Sequence, residues 1–159
     1  MALAAVRVVA ASEPITLSAP AGEFRVKTIG PSSAVAHVSV ALTLVELDGT
    51  NAWPPAAYVG FYQGPDRKES IQFLIIRNKE ADNYLVAGYR LIEHGKETEA
   101  HSLHSFPLDA VVLVRLGFDG GIVYLWLDGT DPIRLTTPFK KVAPYVSVSS
   151  GTARFKVDP

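Results

Sequence analysis

The chain of 159 residues contains no cysteine, so disulfide bonds, thiolate nucleophiles and cysteine-based zinc sites are excluded. No apolar run approaches the ~20 residues of a membrane-spanning helix, and membrane insertion is not expected. The formal net charge is only -1, with no block of like charge, which argues against a nucleic-acid partner. The chain also lacks a glycine-rich phosphate loop. We expect neither a cofactor nor a metal ion.

Helical periodicity is absent as well. Eleven prolines and twelve glycines divide the chain into short apolar runs that alternate with polar residues. A period of two is typical of β-strands with one buried face. The pattern predicts one all-β domain over residues 1–159, built as a two-sheet antiparallel β-sandwich. The predicted core comprises Val59, Phe61, Ile71, Phe73, Ile75, Val112, Val114, Leu116, Val123, Leu125, Leu127, Val146, Val148 and Phe155.

The sharpest local signal is a predicted hairpin in residues 111–128. Asp119-Gly120 is a favoured pair for a two-residue type I′ turn. This register pairs Arg115 with Tyr124 on the outward face. Its inward pairs are all apolar, namely Leu116 with Val123, Val114 with Leu125, and Val112 with Leu127. A one-residue slip would place these apolar residues on the wrong face.

Four segments share a pattern of apolar strands closed by turns: residues 58–62, 112–116, 123–129 and 145–155. In this pattern the chain resembles the concanavalin A-like lectin/glucanase superfamily, especially its laminin G-like branch, over roughly residues 58–157. The resemblance implies a jelly roll of two curved sheets, a fold that often binds glycans on its concave face.

Alternation also places a set of aromatic and polar side chains on the sheet face away from the core. This set comprises Tyr62, Gln72, Arg115, Tyr124 and Trp126. Aromatic rings stack on the apolar faces of pyranoses, while glutamine and arginine hydrogen-bond sugar hydroxyls. We therefore predict a non-enzymatic binding domain whose ligand is a glycan. In the alternative, the same aromatic face contacts another subunit, and the chain is an interaction or assembly module that forms a homo-oligomer.

A second alternative is a carbohydrate-active enzyme that uses paired glutamates. Glu97 and Glu99, at i and i+2, are expected to project from the same side of a strand. Glycoside hydrolases use two carboxylates ~5–9.5 Å apart. The lectin-like glucanases carry Glu-x-Asp-x-x-Glu or Glu-x-Asp-x-Glu on one strand, and the segment 93–99 lacks the central aspartate. A solvated, charged strand is therefore the favoured interpretation of these glutamates.

A second enzyme comparison concerns the jelly-roll alginate lyases. Residues 84–89 resemble their Tyr-x-x-Ala-Gly segment, and Gln72 lies upstream as their glutamine does. However, Phe73-Leu74 stands where their Gln-Ile-His motif needs a histidine, and their Arg-x-Glu motif is absent. Without the histidine base, this resemblance implies no lyase activity.

Three further features leave alternatives open. Residues 1–12 are interpreted as a first strand rather than a secretory signal, because their apolar stretch is short and interrupted by Arg7. Trp53 precedes two prolines and serves either as a ligand platform or as a plug at one end of the sandwich. His94, His101 and His104 are close in sequence, but they lie in predicted strand and loop, and we expect no metal site there.

Overall fold

The computed structural model describes residues 13–128 and 130–158, so the strand predicted in residues 1–12 lies outside the described residues. The described residues form ten antiparallel strands, which confirms the all-β prediction. They contain no helix, and therefore none long and apolar enough to cross a membrane. The strands are β1 (Ile15–Thr28), β2 (Val35–Leu47), β3 (Ala56–Gln63), β4 (Glu69–Ile76), β5 (Tyr84–Glu93), β6 (Lys96–Pro107), β7 (Val112–Asp119), β8 (Ile122–Leu127), β9 (Ile133–Thr136) and β10 (Ala143–Asp158).

The long strands β1 and β10 belong to both sheets of the sandwich. Residues 143–149 of β10 pair with β3 and with residues 24–28 of β1. Residues 151–158 pair instead with β2, and part of this segment also pairs with residues 15–19 of β1. Sheet A therefore has the order β1-β10-β3-β4-β5-β6, and sheet B has the order β1-β10-β2-β7-β8-β9. This arrangement is a two-sheet jelly roll.

The two shared strands bend at the same level to pass from one sheet to the other. In β10, Ser150 adopts a left-handed φ of 52°, and in β1, Gly22 has a φ of 81°. Such backbone is easy for glycine and strained for serine. The Gly22 N–H donates a hydrogen bond to Ser150 Oγ at 3.0 Å, which joins the two bends.

The core lies between the two sheets and contains every residue predicted for it, each at most 2% exposed. Phe61 of sheet A meets Phe118 of sheet B with ring centroids 6.2 Å apart. Because the two sheets bury their facing sides against each other, their outer faces point in opposite directions. This geometry decides which surface residues can share a site.

The β7–β8 hairpin forms, but its predicted register is wrong by two residues. Its loop is Gly120-Gly121, and Arg115 pairs with Trp126 rather than with Tyr124. Both loop residues have positive φ, 57° and 85°, as a type I′ turn requires. Two glycines adopt this backbone more easily than Asp119 and Gly120 would. A shift of two residues leaves every side chain on its predicted face.

Candidate functional site

Two adjoining depressions lie on the outer face of sheet A and share Arg90; together we call them the groove. One has a volume of about 250 Å³ and lies over β4, β5 and β6. The other, of about 340 Å³, lies over β10, β3, β4 and β5, with β1 and the β3–β4 loop at its sides. The larger depression is lined by Phe24, Val26, Tyr58, Asp66, Arg67, Gln72, Arg90, Tyr145, Ser147 and Ser149.

Arg90 organises the polar centre of the groove. The strand register places Gln72 directly opposite Arg90, and Arg90 Nε donates a hydrogen bond to Gln72 Oε1 at 2.6 Å. The guanidinium carbon lies 5.4 Å from the centroid of the Tyr58 ring, and Nη1 lies 3.7 Å from Glu97 Oε2. Since an arginine N–H can only donate, it engages the amide oxygen of Gln72. The Gln72 amide nitrogen, which lies near the Tyr145 hydroxyl, is therefore the donor of that side chain.

Tyr145 forms the floor beside this centre. Its ring covers Gly60, where an added Cβ would lie only 3.0 Å from Tyr145 Cε1. The residue is 1% exposed, and its hydroxyl has no hydrogen-bond partner among the described residues, nor does that of buried Ser70. Burial raises the pKa of Tyr145 well above its usual range, an effect that nearby Gln72, Arg90 and Ser70 only partly offset.

We expect the free energy of unfolding of Tyr145→Phe to fall less steeply with rising alkaline pH than that of the unchanged protein. The unfolded chain ionises its tyrosines near pH ~10, whereas folded Tyr145 stays protonated, so unfolding becomes easier as the pH rises above that value. The Tyr145→Phe variant has no phenol at this position and lacks this dependence of stability on pH. Part of the dependence should remain, because burial also raises the pKa of Tyr89. At neutral pH the substitution should be neutral or stabilising by about 1 kcal/mol, because it removes an unpartnered buried hydroxyl.

Urea unfolding at neutral pH and between about pH 9 and 11 measures both effects. Tyr62→Phe is the control, since the Tyr62 hydroxyl hydrogen-bonds Thr28 Oγ1 at 2.8 Å near the surface. At neutral pH this control should not be stabilised, because it removes a hydroxyl that has a hydrogen-bond partner. An unchanged slope in Tyr145→Phe would contradict the burial of this phenol.

The structure does not bring the five predicted ligand-binding residues together. Tyr62 and Gln72 lie on the outer face of sheet A, where the Tyr62 ring contacts Tyr145 edge-on at 5.6 Å. Arg115, Tyr124 and Trp126 lie on the outer face of sheet B, on the opposite side of the molecule. The expectation that they share one face is therefore wrong. Ligand binding by either group stays a prediction.

The glutamate pair is also separated. The pairing of β5 with β6 shifts by one residue, so Glu97 lies opposite Ile92 and Glu99 lies opposite Leu91. Glu97 accordingly points to the groove and Arg90, whereas Glu99 contacts His101 Nε2 at 3.0 Å on the other face. The expectation of two carboxylates on one side of the strand is wrong, because a β-bulge interrupts the alternation.

Of the remaining sequence candidates, Trp53 and His94 lie outside the groove, whereas His101 is among the residues that line its smaller depression. The Trp53 side chain is 58% exposed and covers Gly22 at the bend of β1, so it does not plug the sandwich. His94 Nδ1 contacts Glu69 Oε1 at 3.1 Å. Across residues 13–128 and 130–158, no three histidine, aspartate or glutamate side chains converge as a metal site would require.

Sequence reasoning missed Arg90 and Tyr145 as members of the site. Arg90 interrupts the apolar strand 84–92 at an outward position, and this was the available signal. Tyr145 lies in an almost wholly buried strand, and no local pattern distinguishes it from a core residue. The approach of Asp66 and Arg67 to the same depression depends on the course of the β3–β4 loop.

The fold is similar to that of several solved structures, all of low sequence identity. The carbohydrate-binding module CBM66 from Bacillus subtilis is 13% identical, with a TM-score of 0.58, and the match covers 92% of this chain and 94% of that chain. CG-16, a homodimeric agglutinin from chicken liver, is 15% identical, with a TM-score of 0.54 and coverage of 86% and 97%. An alginate lyase from Alteromonas sp.272 is 8% identical, with a TM-score of 0.51 and coverage of 78% and 69%.

At such low identities these similarities show the fold alone. They agree with the predicted concanavalin A-like jelly roll, and galectins are among the similar structures. No protein-family model and no curated protein matches the chain. Membership of the laminin G-like branch therefore stays a prediction.

Proposed function

We propose that this protein is a non-enzymatic carbohydrate-binding domain and that its glycan lies in the groove of sheet A. The observation that carries the proposal is the linked set of Tyr58, Gln72 and Arg90 at the centre of the larger depression. A carbohydrate-binding module and an agglutinin share the fold, which is consistent with a glycan ligand.

The chemistry of the groove suits a sugar. Gln72 and Arg90 offer N–H donors to ring hydroxyls, and their mutual hydrogen bond holds both in place before a ligand arrives. Ser147 and Ser149 add hydroxyls that both donate and accept. The exposed ring of Phe24 stands at the β1 side, where it can cover an apolar sugar face. Apolar surface with a few placed polar groups is typical of small-molecule sites.

A glycan-array screen of the purified protein tests this proposal, with Gln72→Ala and Trp126→Ala as paired variants. We expect selective binding that Gln72→Ala weakens by about tenfold, because a hydrogen-bond donor is lost and Arg90 is left unpartnered. Trp126→Ala should bind uncharged array glycans as the unchanged protein does, since Trp126 lies on the other sheet.

Two outcomes would contradict the proposal. Absence of binding to any glycan at high protein concentration would favour the interaction-module alternative. Release of new reducing ends from a bound polysaccharide would show turnover and overturn the non-enzymatic assignment.

A further inference from the structure

The outer face of sheet B carries an exposed aromatic platform that the groove does not use. Trp126 stacks on Tyr124 with ring centroids 5.9 Å apart and an interplanar angle of 17°. The Trp126 ring lies over Gly117 of β7, where an added Cβ would be 3.7 Å from Trp126 Cζ3, and the His37 ring lies beside the same glycine. Trp126 is 40% exposed, and depressions of about 400 and 220 Å³ lie on its two sides, both also lined by Arg115.

Four cations lie on the same sheet face as this platform. Strand register places all of them on the same outer face, and all are exposed: Arg115, Arg134, Arg154 and Lys156. Among the residues that the structure describes, none of the four has a carboxylate within 4.0 Å. We call this set with Trp126 the basic face. Asp128 lines the larger depression and Asp158 the smaller one, each beside Arg115, while Glu46 and Asp119 lie towards the ends of the sheet.

The positive charge is local, since the whole chain has a formal net charge of -1. The cations lie on β10, β7 and β9, each two strands from the next. Because neighbouring strands are ~4.8 Å apart, positive groups recur across the face at intervals of ~10 Å. A long ligand that carries negative groups at intervals complements such an array, and the Trp126 ring between them suits a pyranose face.

We propose that the basic face is a second binding surface, separate from the groove, and that its ligand is an anionic polysaccharide. Ser39 and Thr43 lie on the same face and supply hydroxyls for sugar oxygens. A single-stranded nucleic acid fits less well, because such strands are bound by successive aromatic platforms and this face presents one.

Binding assays with defined polymers test the proposal. The probes are immobilised heparin as a sulfated chain, polygalacturonate as a carboxylated chain, dextran as an uncharged chain and oligo-deoxythymidine as a nucleic acid. We expect binding to at least one of the two anionic polysaccharides, none to dextran, and affinity that falls as salt increases. Arg115→Glu and Trp126→Ala should each lower the affinity about tenfold.

Two matched variants distinguish binding at the basic face from an effect of net charge and from binding in the groove. Lys79→Glu makes the same charge change as Arg115→Glu at an exposed position in the β4–β5 loop, and Arg90→Ala alters only the groove. Neither should change polysaccharide binding. If Lys79→Glu lowered the polysaccharide affinity as much as Arg115→Glu does, the effect would be one of net charge alone. If Arg90→Ala lowered that affinity, the polymer would lie in the groove. Either result would overturn the proposal, as would failure to bind both anionic polysaccharides or tighter binding of the oligonucleotide.

Discussion

Replacement of Phe61 by alanine should lower the free energy of unfolding by about 3–5 kcal/mol. Phe61 is fully buried and its ring contacts Phe118 of the other sheet, so the substitution removes a contact between the two sheets and leaves a cavity. Since domains of this size are stabilised by only about 5–15 kcal/mol, the variant should be close to unfolding at ordinary temperature. Denaturant titration of purified protein measures the change.

Phe24→Ala is the matched control for this experiment. It makes the same chemical change at a side chain that is 62% exposed, and should alter stability by about 0.5 kcal/mol or less. Similar losses in both variants would contradict the sandwich, since they would mean that Phe61 is packed no better than a surface residue.

Replacement of Arg90 by alanine should weaken glycan binding by about 100-fold, because a central arginine in a binding site commonly contributes ~2–4 kcal/mol. Arg90 is the residue common to both depressions of the groove, and it orients Gln72 and covers the Tyr58 ring. The substitution removes N–H donors and also releases the Gln72 amide. Titration calorimetry with the strongest glycan from the array measures the loss.

Arg90→Lys and Arg115→Ala provide the comparison for this result. Lysine keeps the positive charge but lacks the planar guanidinium group, so we expect Arg90→Lys to weaken glycan binding less than Arg90→Ala does. Arg115 lies on the opposite sheet, and its substitution should leave groove affinity unchanged. Unaltered binding in Arg90→Ala would exclude this residue from the site.

Burial could be predicted from the sequence because it follows a strict alternation. Val59 and Phe61 on β3, and Ile71 and Phe73 on β4, all face the core as their spacing of two residues requires. Alternation holds along a strand regardless of its neighbours. It distinguishes inward from outward positions, and among the described residues it failed for Glu99, where a bulge intervenes.

The location of the site could not be predicted in the same way. Alternation marked Gln72 and Trp126 as outward, but it contains no information on which sheet each strand joins. That assignment depends on long-range pairing, above all on the bend at Ser150, where β10 changes partners from β3 to β2. The bulge that separates Glu97 from Glu99 likewise has no local sequence mark.

Amide chemical-shift mapping tests most directly whether the groove of sheet A is the glycan site. The strongest array glycan is added to isotope-labelled protein, and the shifted amides are located on the fold. We expect shifts concentrated around Tyr58, Gln72, Arg90 and Ser147. Shifts confined to β7 and β8, around Arg115 and Trp126, would contradict the assignment of the glycan to the groove.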